Sequence, residues 1–275
     1  MILSGTEDSM DLADQDITRL GQNGMTDSSA TSGSDLRNQY QCDGYVIVRN
    51  VVEAASAAEA KQHALETVAR FPDDTPEQLH RRPLWFEDSF YHRFVHQPKL
   101  IDLAEAILGP DLALFATGYI IKPPSESMAI LWHQDGSYWP LDPMEVCTLW
   151  VALTPSTPAN GCMRVIPGTQ NLNLQQVQAR TDVRNLLNSE IDRSLVDEAR
   201  AVELELQPGD VSIHHPNIIH GSNANTSRDQ WRINLVVRVI SARTKVTEPT
   251  WKGVFHLRGT RREDLNTYLP TPGDI

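Results

Sequence analysis

The sequence carries no excess of positive charge, no long apolar run and very little cysteine, and each absence removes a class of function. Its 24 Lys and Arg stand against 36 Asp and Glu, a formal charge of −12 at pH 7. Nucleic acids and anionic membranes are bound through a positive footprint, so neither is expected as a partner. An anionic small molecule stays open, because one local Arg or Lys overrides the global field at short range. No apolar run approaches the roughly 18 residues of a membrane-spanning helix. No basic segment followed by an apolar one opens the chain, so no secretory signal is expected. Cys42, Cys147 and Cys162 lack close spacing, which argues against a disulfide framework or a zinc finger and for a reducing cytoplasm. Cys147 and Cys162 sit among strand residues, where packing is their expected role. No internal repeat is visible.

What is present is an ordinary globular composition, 275 residues with 40% apolar and 22% charged side chains. That suffices for one domain with a sizeable core. Residues 1–36 are rich in Ser, Asp, Gly, Thr and Asn without a sustained period, and are expected to form a mobile tail dispensable for folding. Residues 37–275 then make a single domain. Tyr45 to Val48 is a β-branched run behind the turn-like Asp43-Gly44 and reads as a strand. Helical spacing covers 52–71, closed by Pro72, and 99–108, closed by Gly109-Pro110.

Beyond residue 110 the period changes to that of strands, at 112–122, 128–133, 146–153, 163–166, 202–206, 211–215, 218–220 and 233–240. Pro and Gly punctuate them, as at Pro123-Pro124, Pro167-Gly168 and Pro208-Gly209. One helical insertion is expected from Leu174 to Leu187. Many short strands with such turns argue for an antiparallel sandwich or jelly roll, mainly β, with the earlier helices packed on one sheet.

Three local features carry chemistry. In a strand, residues i and i+2 share a face, so His133 and Asp135 of Trp132-His133-Gln134-Asp135 can reach one metal. A lone His-x-Asp is a weak signal, and a strand end at the surface is the plainer interpretation. The stretch after the Pro208-Gly209-Asp210 turn holds His214, His215 and His220, and a third ligand from it is the second feature. Two histidines and one carboxylate occupy one face of an octahedral ferrous ion and leave positions open. Arg232, twelve residues after His220, opens an apolar strand. A guanidinium there can clamp a carboxylate in bidentate fashion, although a surface Arg is the better reading when it is taken alone.

Taken together, these residues resemble the phytanoyl-CoA dioxygenase family of iron(II)- and 2-oxoglutarate-dependent oxygenases. The resemblance rests on His133-x-Asp135, the run from Asn160 to Thr169, Gly209-Asp210, and His220-Gly-Ser-x-x-Asn-x-Ser ending at Arg232. It spans about residues 40–245, and the motifs recur in the family's order. It implies a double-stranded β-helix, a jelly roll of the cupin-like kind, with Fe(II) held by His133, Asp135 and His220. It also implies 2-oxoglutarate held by Arg232 and Ser222 near Trp150, with O2 as the other cosubstrate and succinate and CO2 as products. Arg228 is a rival for the clamp, since the spacing from His220 to Arg232 is about one residue longer than in several relatives.

Lys122-Pro123-Pro124 matches a family feature with no assigned contact. His215 is expected to be a hydrogen-bonded neighbour and His214 to pack close to the ligands. His63, His80, His92, His96 and His256 lack a motif and are expected to be structural or exposed. The substrate pocket is expected from Phe115, Tyr119, Tyr138, Trp139 and the 80–96 loop. The resemblance thus implies oxidation, by hydroxylation, of a C–H bond in a small organic metabolite such as a natural-product intermediate. The alternatives are an acyl-CoA hydroxylase of the same family, a zinc hydrolase, and a jelly-roll binding module without catalysis. The oligomeric state is not legible.

Overall fold

In the computed structural model, residues 25–27, 32–125 and 127–273 are described. The chain builds its helical layer first. Helix α1 (Gly33–Asp43) begins at the N-cap Ser32, whose hydroxyl accepts from the Asp35 amide, and ends at Gly44 in the left-handed region. It buries Leu36 and Tyr40. The ordered domain therefore starts earlier than the expected boundary at 37, because a capped helix needs its cap and first turn. Apart from 25–27 and 32–36, the expected tail lies outside the described residues. Helix α2 (Ala54–Arg70) buries an alanine and threonine stripe, Ala57, Ala60, Ala64 and Thr67. Helices α3 (Ser89–Val95) and α4 (Pro98–Leu108) complete the layer. The segment expected as an 80–96 loop is thus partly helical, with Asp88 capping α3.

The strands in chain order are β1 (Met25–Asp27), β2 (Tyr45–Arg49), β3 (Leu112–Lys122), β4 (Ile130–His133), β5 (Leu141–Asp142), β6 (Val146–Ala152), β7 (Met163–Ile166) and β8 (Val177–Ala179). They continue with β9 (Ser189–Ile191), β10 (Val202–Leu204), β11 (Val211–His214), β12 (Ile219–Ser222), β13 (Arg232–Ser241), β14 (Lys245–Val246), β15 (Val254–Arg258) and β16 (Tyr268–Leu269). The major sheet runs β1-β2-β11-β6-β13-β3-β15-β16 and the minor sheet β10-β7-β12-β4. Within them, β1/β2 and β15/β16 are parallel pairs and the other pairs are antiparallel.

Alternation along the major sheet divides the core in two. Val46, Val48, Leu149, Val151, Ile213, Leu235 and Val237 point to the helices. Their neighbours Tyr45, Ile47, Trp150 and Val236 meet Met163, Val165 and Leu204 of the minor sheet. This is the expected jelly roll with helices on one sheet.

The expected helix at 174–187 is absent. Its place is taken by the hairpin β8/β9, with Ser189 opposite Ala179. A helix there would have to bury one apolar stripe, yet Leu174 and Val183 are about 40% exposed (43% and 40%) while Leu186 is buried. Polar anchors hold the alternative path. The Asn185 amide donates to the Arg180 and Val183 carbonyls, and Arg180 pairs with the buried Glu190. Tertiary pairing has overridden a helix-prone composition.

The Gly209-Asp210 turn locks β2 to β11. Gly209 has φ +94°, and an added Cβ would stand 2.3 Å from the Val52 carbonyl oxygen. The Asp210 carboxylate accepts from Arg49 Nη1 at 2.6 Å, the Asn50 amide at 3.0 Å and the Gln207 amide at 2.8 Å. Those bonds bring the cavity-facing half of β11 into register with β6.

Candidate metal and cosubstrate site

The site lies between the two sheets, and strand register assembles it. On β13 the alternation that buries Ile233, Leu235 and Val237 against the helices turns Arg232, Asn234, Val236 and Arg238 toward the minor sheet. On β6, Thr148 stands opposite both His214 and Arg238, and Trp150 opposite both Ser212 and Val236. From the other side, β4 and β12 pair so that His133 and His220 are direct cross-strand partners. Strand β4 ends at His133, and Asp135 opens a 3-10 turn, Asp135–Tyr138. Asp135 therefore reaches its neighbours through a turn and not by strand alternation. Gln134 points away and ties the turn down: its amide donates to the Asn217 carbonyl at 2.7 Å and its side-chain oxygen accepts from the Gln175 amide at 2.7 Å.

His133, Asp135 and His220 offer ligand atoms that all lie within 4.8 Å of one another. Asp135 Oδ1 is 3.5 Å from His133 Nε2 and 3.9 Å from His220 Nε2. Bonds of roughly 2.1 Å at right angles would set such atoms about 3 Å apart, so closure on an ion needs shifts below 1 Å. Both rings are oriented from behind. His133 Nδ1 donates to the Leu131 carbonyl at 2.8 Å and His220 Nδ1 to the Ile218 carbonyl at 3.0 Å, which leaves each Nε2 lone pair facing inward.

The charge states suit a divalent cation. Burial by itself would raise Asp135, but the surrounding imidazoles of His133, His214 and His220 hold it well below the usual carboxylate range, and Arg238 is the smallest of its neighbours' contributions. Burial, reinforced by the neighbouring His133, keeps His220 well below the usual histidine value. His214, on the opposite sheet, has Nε2 3.8 Å from the second oxygen of Asp135, and burial lowers its pKa as well.

Across a cavity of ≈70 Å³ stands Arg232. It is fully buried (0% exposed), and none of its three guanidinium nitrogens has a hydrogen-bond partner. Ser222 Oγ and Trp150 Nε1 are likewise buried without partners, and the guanidinium lies 5.3 Å from the Trp150 ring centroid. Burial pulls Arg232 below the ordinary arginine range to about 10, which still leaves it charged at neutral pH. A buried cation with every donor free is costly unless an anion completes it, so these residues fit a carboxylate ligand. Arg228 is exposed in the loop before β13.

The phytanoyl-CoA dioxygenase family model matches residues 40–234. The chain belongs to that family. It is therefore an iron- and 2-oxoglutarate-dependent dioxygenase, an oxidoreductase acting on a small molecule. A probable phytanoyl-CoA dioxygenase of Caenorhabditis elegans is 25% identical over 221 residues, 70% of each protein. The L-proline trans-4-hydroxylase of Streptomyces griseoviridis is 27% identical over 167 residues, 54% of this chain and 62% of that protein. Among solved structures, apo ThoJ, a non-heme monooxygenase, superposes with a TM-score of 0.73 at 28% identity, covering 87% of this chain and 89% of its own.

Within this member of the phytanoyl-CoA dioxygenase family, the residues expected at the site divide into two groups. His133, Asp135, His220, Ser222, Trp150 and Arg232 all line the cavity. Tyr138 sits at its rim, 40% exposed, with its ring 6.1 Å from His133 and its hydroxyl 2.7 Å from Ser189 Oγ. Trp139 is half-buried and packs under Arg238.

Tyr119 and Phe115 do not face the cavity. Both lie on the helix side of β3, where Tyr119 bonds to His63 at 2.8 Å and Phe115 stacks on Trp251 at 4.5 Å. Their neighbour Ile120 is the residue of β3 that lines the cavity. Among the expected 80–96 segment it is His80 that reaches the wall, with Nδ1 donating to the Glu77 carbonyl at 2.7 Å. Lys122 of the Lys-Pro-Pro motif acquires a contact: its buried ammonium donates to the Ser222 and Asn223 carbonyls and anchors the end of β12. His215 packs against Tyr40 and accepts from the Asn217 amide, as a hydrogen-bonded neighbour. Thr148 and Arg238 were legible in principle, since period-two counting from Trp150 and Arg232 reaches both. Leu186 and Leu187, from the segment expected as a helix, had no such signal.

Proposed function

We propose that His133, Asp135 and His220 hold Fe(II) and that Arg232, with Ser222 and beside Trp150, holds the far carboxylate of 2-oxoglutarate. On this reading the enzyme hydroxylates a C–H bond of a small organic metabolite, in the manner of a natural-product intermediate, with release of succinate and CO2. The observation that carries it is a fully buried guanidinium with every donor free, across one cavity from a His-Asp-His group. Iron with 2-oxoglutarate supplies the activation of O2 that an all-protein site lacks.

The chain's own part is orientation and exclusion of water. The backbone carbonyls of Leu131 and Ile218 fix the histidine tautomers. Ile120, Ile130, Met163 and Leu186 give the cavity apolar walls, which keep competing solvent from the reacting atoms. A zinc hydrolase or a binding module would have no use for the free Arg232. An acyl-CoA substrate would call for a cluster of basic residues to meet its phosphates, and the sequence shows no conspicuous one. We assign the enzyme to the cytoplasm, without nucleic-acid or membrane partners, on its net charge and its three free cysteines. Among the described residues no helix is long and apolar enough to cross a membrane.

The test is anaerobic addition of Fe(II) and 2-oxoglutarate, followed by O2 and a metabolite panel. The expected result is the visible charge-transfer band of the iron chelate, then substrate-stimulated succinate release. Absence of the band with intact, folded protein refutes the assignment.

A further inference from the structure

A second guanidinium enters the same cavity, and the proposed function leaves it unused. Arg238 lies on the cavity face of β13, six residues beyond Arg232. At about 3.4 Å per residue that is roughly 20 Å along the strand, so the two arginines do not grip one carboxylate. Arg238 Nε is closed off from solvent and has no hydrogen-bond partner. Asp135 pairs with the three surrounding histidines and not with Arg238. The guanidinium lies over the Trp139 ring, 5.4 Å from its centroid. In register beside it stands Thr148, whose Oγ1 is also buried and unpartnered, and beside Thr148 stands His214, whose Nδ1 is in the same state. Two strand spacings, roughly 10 Å, separate the backbones of His214 and Arg238, so a group held by Arg238 sits close to the Asp135 side of the metal group.

The charge inventory points the same way. Among the described residues, the Asp, Glu, Arg and Lys side chains lining the cavity are Asp135, Arg232 and Arg238. A divalent ion and a dicarboxylate dianion cancel, which leaves two arginines against one aspartate and an excess of one positive charge. Lys122 does not enter this count, because it faces the Ser222 and Asn223 carbonyls with the buried Glu77 carboxylate acting on it. An enclosed excess charge is unfavourable until a counter-ion arrives. Resting on the iron and 2-oxoglutarate reading, we propose that Arg238, assisted by Thr148, binds the carboxylate of the substrate, so that the enzyme acts on small organic monoanions. Trp139 then acts as the platform beneath the guanidinium, and Leu186 and Leu187 cover the apolar remainder of the substrate.

The experiment uses the full chain loaded anaerobically with Fe(II) and 2-oxoglutarate. Hexanoate against hexanamide, and benzoate against benzamide, are titrated while the charge-transfer band is followed. The acids are expected to bind at least about tenfold tighter than the amides, about 1.4 kcal/mol. Arg238→Gln is expected to reduce that preference to less than about twofold while leaving iron and 2-oxoglutarate affinities within about twofold. Arg238→Lys is expected to keep a weakened acid preference. Equal binding of acid and amide to the wild type overturns the proposal, as does a preference that survives in Arg238→Gln. A tenfold loss of iron affinity in Arg238→Gln also overturns it, since Arg238 would then be positioning Asp135. If Arg238→Gln does not fold, an unaltered preference in Arg238→Lys overturns the proposal and a weakened one supports it. A wild type that shows no band at all refutes the iron and 2-oxoglutarate reading itself, an outcome distinct from a normal band without acid preference.

Discussion

Replacing Arg232 by methionine separates the cost of the site from its use. Burial lowers Arg232 from the ordinary arginine range to about 10, and at 1.36 kcal/mol for each factor of ten the charged side chain costs the ligand-free fold about 3 kcal/mol. Below about pH 10 the arginine is protonated both folded and unfolded, so the full cost is present at neutrality and fades only as pH rises through the folded value toward the ordinary arginine range. Arg232→Met removes that cost and retains most of the volume. Ligand-free protein is therefore expected to be as stable as wild type or more so, by up to about 3 kcal/mol less whatever packing over Trp150 is lost. In thermal unfolding each kcal/mol amounts to about 2–4 °C for a domain of this size.

Binding moves the other way. Two charge-assisted hydrogen bonds at about 1.5–3 kcal/mol each imply a 2-oxoglutarate affinity lower by about a hundred- to ten-thousand-fold. Melting curves with and without 2-oxoglutarate, together with titration of the iron chelate band, read both effects. The stabilisation that saturating 2-oxoglutarate confers on wild type should vanish in the variant. A ligand-free variant several kcal/mol less stable, with cosubstrate affinity within about threefold of wild type, refutes this reasoning and makes Arg232 a structural residue.

Other substitutions test the neighbouring parts. Asp135→Ala is expected to abolish iron binding, read by metal analysis after gel filtration, because it leaves two histidines and no charge-balancing ligand; retained iron and activity would mean that Asp135 is not a ligand. Wild type under turnover in chloride is expected to give no chlorinated product by mass spectrometry, since Asp135 fills the position that a halide would need. Gly221→Ala puts a Cβ 2.9 Å from the Ile130 carbonyl oxygen and must part β12 from β4, so iron affinity should fall by about tenfold, about 1.4 kcal/mol; an unchanged metal titration shows that the strands yield elsewhere. Asp210→Ala leaves the Asn50 and Gln207 amides without their acceptor and leaves Arg49 only the Glu205 carbonyl, and should cost about 2–4 kcal/mol in urea unfolding; a loss below about 1 kcal/mol assigns the turn to Gly209 instead.

Much of this protein follows from local signals in its sequence. The strand and helix periods of β2, β3, α2 and α4 match their positions to within about two residues, because each buries one face and the period reports that face. The candidate ligands and the clamp were nameable through the family resemblance, because a His-x-Asp at a strand end, a late histidine and an arginine opening the next apolar strand are each weak alone and specific only in that order. Side-chain direction in a strand buried on both faces is a different matter. Phe115, Tyr119 and Ile120 are all apolar, so composition does not say which of them meets the helices and which the cavity. Pairing of β3 with β13 decided that, and the aromatic residues went to the helix side.

Period-two counting from Arg232 puts Arg238 on the same face of its strand, but only the minor sheet laid over that face makes it a cavity wall. The segment from 174 to 187 shows the limit most clearly. Its glutamines, alanine and leucines favour a helix locally, and only the buried Glu190, the anchors at Asn185 and the cavity wall supplied by Leu186 and Leu187, all tertiary features, make a hairpin the lower free energy.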